Sequence, residues 1–262
     1  MTVELRTHAA IERADAERDR IEAKADAFDA FDERVRAISA TPVGRASASA
    51  ATASAPGGAL AVLSGKGGPT DAGGTKAVRE AFAATVLPRV ETDSARAAMA
   101  DELSPDLATA LSSAGAGFAP ELKARLVSRI GERRAECRLL ADAIGTERDR
   151  LASAADRLDE MTEWVADADD TPLSDLGFDG LRARHDRLAA FRATCDELAR
   201  DRQADLRGTH RDGPTGVRAR ELLDLLYDDF ADGHPLLADI ARLDSLLADC
   251  QRAVRRHLCS RA

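Results

Sequence analysis

The chain has 262 residues and 27.9 kDa, with 46 acidic residues against 37 basic ones, a net charge of -9 and a pI near 5.2. That balance argues against nucleic acid as a partner, because phosphate contacts need a basic face, and no run approaches the ~18 apolar residues of a membrane span. Apolar residues make up 44% but aromatics only 3%, so burial is expected in narrow Ala/Leu seams rather than in a thick aromatic core.

The opening Met1-Thr2-Val3-Glu4-Leu5-Arg6 lacks the apolar stretch of a secretory leader. Cys137, Cys195, Cys250 and Cys259 lie far apart with no C-x-x-C, which reads as reduced thiols and a cytoplasmic setting. From residue 3 to about 38 the pattern is helical. Steps of three and four from Ile11 pass Ala14, Arg18, Ile21, Ala25, Phe28, Asp32, Val35 and Ser39, a 3.5-residue seam that the Thr41-Pro42 step should end. Residues 41–75 are Ala, Gly, Ser, Thr and Pro with too little apolar side chain to offset ordering entropy, and predict a flexible linker. A short amphipathic helix carrying Ala77, Val78, Ala81, Phe82 and Val86 should stop near Pro88. Another is expected from Ser104-Pro105-Asp106, whose residues suit an N-cap, a first helical position and an acidic first turn, to about Leu111.

Pro120-Glu121 opens the longest helix, running to Ala166. Its seam is Leu126, Ile130, Arg133, Cys137, Leu140, Ile144, Glu147, Leu151, Ala154, Leu158, Met161 and Val165, apolar at ten of twelve positions. Gly145-Thr146 lowers helix propensity without disturbing that phase, which favours one continuous or gently bent helix. At 1.5 Å per residue such a helix is about 70 Å long and needs another long helix to lie against. After a connection at 167–180, a helix to about residue 206 should bury Leu181, Leu188, Phe191, Cys195 and Leu198. A further helix carries Leu222, Leu223, Leu226 and Phe230, and Gly233-His234-Pro235 opens the last, with Leu236, Ile240, Leu243, Leu247, Cys250 and Val254 on one stripe. No segment alternates with period two, so the expected class is all-α: long antiparallel coiled-coil helices plus a C-terminal helical bundle. The organisation predicted is an N-terminal coiled-coil helix (1–40), a linker (41–75), short helices and the long coiled-coil helix (76–166), and a C-terminal three-helix bundle (171–262).

Few motifs invite chemistry. Leu60-Ala61-Val62-Leu63-Ser64-Gly65-Lys66-Gly67-Gly68 resembles the deviant Walker A loop of the MinD/ParA ATPases, but Pro69 to Ala72 then intervene and Gly73-Gly74-Thr75 has no lysine before its threonine. His185-Asp186 is similar to the metal-binding doublet of HD-type phosphohydrolases. Those also need a further upstream His and a downstream Asp, and the upstream candidate here is His8 in a different segment. Tyr227 to His234 is acidic without EF-hand spacing, and His210 and His257 have no zinc-ligand spacing around them. Cys137, Cys195 and Cys250 fall on seams, where cysteine acts as a small hydrophobe, whereas Cys259 should be exposed. Arg18, Asp32, Arg133 and Glu147 interrupt the seams; either they pair and set which helices meet, or the helix face drifts and they rotate outward.

Four segments, Val78-Arg79-Glu80-Ala81-Phe82-Ala83-Ala84-Thr85-Val86, Pro120-Glu121-Leu122-Lys123, Thr171-Pro172-Leu173-Ser174-Asp175-Leu176-Gly177-Phe178 and Asp249-Cys250-Gln251-Arg252-Ala253-Val254, resemble an uncharacterised haloarchaeal family, domain of unknown function 7260. The resemblance implies a salt-rich cytoplasm and no particular reaction. Composition points the same way: four lysines against 33 arginines on an acidic chain suit a medium in which counterions screen self-repulsion, so helicity should fall on dialysis into low salt.

The expectation is a non-enzymatic scaffold or adaptor without cofactor, catalytic residue or metal ligand. It would meet a protein partner or a second copy through seam residues Ile21, Phe28, Val35, Leu126, Ile130, Leu140, Ile144, Leu151, Leu158 and Val165. The alternatives are an HD-type metal-dependent phosphohydrolase using His185 and Asp186, and a helical regulatory module with a ligand between its helices.

Overall fold

A computed structural model describes residues 5–41, 72–92, 94–113, 117–208 and 219–260. Among these the regular structure is helical and no strand occurs. The order is α1 (Arg6–Ala37), α2 (Ala72–Thr85), a 3-10 turn (Leu87–Arg89), α3 (Ala95–Glu102), α4 (Pro105–Ser112), α5 (Pro120–Asp169), α6 (Phe178–Gly208), α7 (Ala219–Tyr227) and α8 (Pro235–Cys259). The class is all-α, as the periodicity predicts. Residues 42–71, with the glycine loop at 60–68, lie outside the described residues, as do Gly115-Ala116 and the Asp212-Gly213-Pro214 turn.

Most helix ends follow local chemistry. Ser104 accepts a hydrogen bond from the Leu107 amide at 3.1 Å, with Pro105 and Asp106 in the first turn of α4. Ser94 caps α3 in the same way through the Ala97 amide at 3.3 Å; this helix has no counterpart in the sequence reading. Gly233 adopts φ 60°, a turn that glycine makes without penalty, just before Pro235 starts α8. α5 continues unbroken through Gly145-Thr146, and the Thr146 hydroxyl donates back to the Asp142 carbonyl at 2.9 Å instead of capping a new helix.

α1 ends at Ala37, next to the end expected near residue 38, and the Lys123 ammonium donates to the carbonyls of Arg36 and Ile38 at 2.7 Å each, meeting the helix end from outside. One expected boundary moves. The positions at 72–75, read as the tail of the linker, open α2. Gly74 is required there: a Cβ at this position would stand 2.6 Å from the Cβ of Phe118.

The chain forms two compact units, Arg20–Arg138 and Met1–Asp19 with Leu139–Ala262, which divide both α1 and α5. In Arg20–Arg138 the α1 segment runs antiparallel to the α5 segment, with Asp29 meeting Arg134 and Arg138 while Arg36 and Ile38 meet Lys123. Helices α2, α3 and α4 pack on one another beside them. The core holds four fully buried phenylalanines, Phe28, Phe31, Phe82 and Phe118, with Met99, Leu103, Leu111, Leu126 and Ile130. Phe31 and Phe82 meet edge to face with centroids 5.5 Å apart. The low aromatic content therefore does not mean a ring-free core; the rings are concentrated here.

In the other unit, α6 lies antiparallel to the α5 segment, with Arg157 on Glu197 and Trp164 on Phe191, and also packs along α8, where Arg192 binds Asp244. The α1 segment adds Ala10 and Ala14 and reaches α5 through Asp15–Arg148 and His8–Asp159. Arg18 lies over Gly145, its guanidinium 3.6 Å from where a Cβ would stand. The core consists of Ile144, Leu151, Leu158, Met161, Leu181, Leu188, Cys195, Leu243, Leu247 and Val254, close to the aliphatic seam expected from the sequence.

Candidate functional site

The most unusual chemistry lies at the middle of α5. Glu147 occupies a seam position and is 4% exposed, so an unpaired carboxylate there would be very costly. Arg202 of α6, also 4% exposed, answers it in a two-pronged arrangement, Nη1 to Oε2 at 3.0 Å and Nη2 to Oε1 at 2.6 Å. The Tyr227 hydroxyl, at the last residue of α7, donates to the same Oε1 at 2.6 Å. Burial alone would raise the Glu147 carboxyl, but the Arg202 hydrogen bonds and charge, with help from Tyr227, hold it below its ordinary value. Burial, and then the neighbouring carboxylate, push the Tyr227 phenol well above its own. At neutral pH the cluster is thus a fixed anion between two fixed donors, a poor arrangement for moving a proton.

The Arg202 Nε is buried and makes no hydrogen bond. The adjoining cavity, lined by Glu147, Arg150, Asp205 and Leu222 among others, measures about 30 Å³, room for water but not for a substrate. A larger open cleft of about 490 Å³ runs along α5 and α6, with Arg150, Arg157 and Arg202 interleaved with Asp149, Asp201 and Asp205. Several of these charges are already engaged, Arg157 with Glu197 at 2.6 Å and Arg150 with Asp205 at 3.8 Å.

A second buried tie joins α1 to α8. The Asp239 carboxylate, fully buried, accepts from both the amide and the hydroxyl of Thr7 at 2.7 Å through Oδ2, and so caps the first turn of α1 from a distant part of the chain. Its Oδ1 makes no hydrogen bond and has the Arg242 guanidinium 3.5 Å away. In Arg20–Arg138 the corresponding carboxylate, Glu102, is also buried: it accepts from Lys24 at 2.5 Å and from Arg133 at 2.8 Å, and Arg133, which opens toward water, also binds Glu136 at 2.7 Å. Burial raises Glu102 too, and the Lys24 and Arg133 hydrogen bonds outweigh it, leaving the carboxyl below its ordinary value.

Of the ten expected interface residues, Ile21, Phe28, Val35, Leu126, Ile130, Ile144, Leu151 and Leu158 are buried within the chain itself, and Leu140 and Val165 are half-buried. The polar seam residues divide. Arg133 and Glu147 turn inward to partners, Asp32 is buried and accepts from Arg36 at 2.8 Å, and Arg18 is exposed. His185 is 3.5 Å from Asp186, and among the described residues no group of three or more His, Cys, Asp or Glu is placed to hold a metal. Cys137 and Cys195 are buried, Cys250 is half-buried and Cys259 exposed; burial pushes the Cys195 thiol up to about 11, which suits a packing role.

Arg202, Tyr227 and Asp239 are not among the site residues expected from the sequence. Arg202 had a signal, since the three-four count through Leu188, Phe191, Cys195 and Leu198 lands on it next. Tyr227 opens the acidic run that lacks EF-hand spacing; α7 ends there, and the residue is 3% exposed.

A family model described as a domain of unknown function (DUF7260) matches residues 5–251. No curated protein and no solved structure matches the chain. Among the described residues no helix is long and apolar enough to cross a membrane.

Proposed function

This chain belongs to the DUF7260 family, and from that premise we propose that it is a non-enzymatic helical scaffold or adaptor working in a salt-rich cytoplasm. The observation that carries the reading is how the buried carboxylates are used. Glu147, Glu102 and Asp239 each accept two or more hydrogen bonds from residues of other helices, which locks them into holding helices together. A catalytic acid or base is instead poised near the working pH and faces a site where a substrate fits.

The seam residues expected to meet a partner are largely consumed within the chain, so the partner surface lies elsewhere. Among the described residues, Phe178 and Leu139, 56% and 41% exposed, are the large apolar side chains left in water. Contact through such a residue needs no further unfolding.

Size exclusion with light scattering in molar KCl, combined with capture of partners from a high-salt lysate, tests this. A second copy or a reproducible protein partner is expected with the native chain and lost with Phe178→Asp or Leu139→Asp at unchanged helicity. Divalent-dependent phosphoester hydrolysis lost in His185→Ala would overturn the reading in favour of the HD-type alternative.

A further inference from the structure

The last turns of α5, the connection after it and the facing parts of α6 and α8 enclose a half-open cavity of about 150 Å³. Its walls are Trp164, Val165, Leu173, Leu188, Ala253 and Val254, with the Cys250 thiol among them. We propose that this cavity is a binding site for a small neutral apolar molecule, of the size and chemistry of a monocyclic arene.

Three observations set the ligand class. The volume suits a single ring and is well below the several hundred Å³ of a site for a nucleotide or a drug-sized molecule. The walls are aliphatic and aromatic, so the gain on binding comes from apolar contact rather than from hydrogen bonds. The charged lining residues are one acid and one base, Asp169 and Arg184, and Arg184 also donates to the Thr171 carbonyl at 3.2 Å. Opposite charges in one lining favour neither an anion nor a cation. The site is also braced: Trp164 meets Phe191 edge to face at 5.3 Å, and the Arg187 guanidinium lies 4.3 Å from the centre of the Phe191 ring on its other contact. A ligand therefore enters a wall that is already held in place and does not have to order it first. Val165, a seam position expected to bury itself in helix pairing, is half-buried because it faces this space.

Trp164 is the chain's one tryptophan, so its emission reports this cavity alone. The full chain in molar KCl is titrated with toluene, and separately with benzoate. Expected are a saturable change in Trp164 emission with a dissociation constant at or below about 1 mM, at least tenfold weaker binding of benzoate, and slower alkylation of Cys250 but not of Cys259 in the presence of toluene. Ala253→Leu fills the cavity and should weaken toluene binding at least tenfold at unchanged melting temperature. If that variant melts early, Ala168→Leu, at a half-buried lining position, decides in its place. A linear, non-saturating response, benzoate binding as well as toluene, or equal binding by a folded, filled variant would overturn the proposal.

Discussion

The two units of this protein hide different things. Arg20–Arg138 buries rings: four of the seven phenylalanines are completely enclosed there, and the ionic cluster around its buried Glu102 opens to water through Arg133 and Glu136. Met1–Asp19 with Leu139–Ala262 buries ions. Glu147 and Arg202 are both about as enclosed as a core leucine, while of its three phenylalanines Phe178 is 56% exposed and Phe230 half-buried. Both units draw on α1 and α5, so the contrast is not one of helix type. Rings fill volume and tolerate neighbours of similar shape, whereas a buried carboxylate needs donors at particular atoms. The ionic unit should be the more exacting about which residues face each other.

Breaking one partner of the buried pair should have the largest effect. Arg202→Met leaves Glu147 charged without its counter-ion and is expected to cost about 3–5 kcal/mol by urea unfolding at pH 7. The double variant Glu147→Leu/Arg202→Met should be less destabilised than either single one. Equal losses for single and double variants would show that shape, not charge, matters there. In the aromatic unit Phe82→Ala should also cost about 3–5 kcal/mol, but Phe82→Leu much less, because apolar volume is what the site needs. If Phe82→Leu proves as harmful as the alanine, the tolerance attributed to this core is wrong.

Acid sharpens the contrast further. Glu147 and Glu102 both sit below their ordinary value of 4.5, so each contributes stability that is present above about that pH and lost as pH falls through its folded value. Stability measured by denaturant should be flat near neutrality and decline below about pH 4.5. Glu147→Gln should flatten the acid limb more than Glu102→Gln, since the Arg133 partner of Glu102 is more open to water than Arg202. An acid limb unchanged in both variants would assign acid sensitivity to other carboxylates.

The smallest effects concern glycine. Gly145→Ala places a methyl group 3.6 Å from the Arg18 guanidinium, ordinary contact, and should stabilise the ionic unit by up to about 1 kcal/mol through helix propensity. Gly74→Ala meets Phe118 at 2.6 Å and should instead lower the melting temperature. A stabilising Gly74→Ala would mean that the ring yields easily.

Much of the helical layout was legible because its causes are local. The three-four stripe of α5, its continuity through Gly145 and the Ser104-Pro105-Asp106 start of α4 depend on residues a few positions apart. α3 escaped notice because Ala95–Glu102 is only eight residues long and mostly alanine and charge, with Ser94 as its one clear marker. The end of α1 was legible within a residue, but that Lys123, far along the chain, donates to its last carbonyls was not. Glu147 was visible as a polar residue on a seam, but whether it faced a partner or water was not.

Periodicity, caps and breakers act within a turn or two, so the amino-acid order alone determined that this chain is made of helices and which stripe of each is apolar. Only the tertiary structure decided that Arg202 and Tyr227 converge on Glu147, that Asp239 caps α1, that four rings gather in one unit, and that a cavity opens beside Trp164. Those pairings join residues about 50 to more than 200 positions apart, and a stripe that repeats every seven residues offers many registers among which burial of the charges selects one.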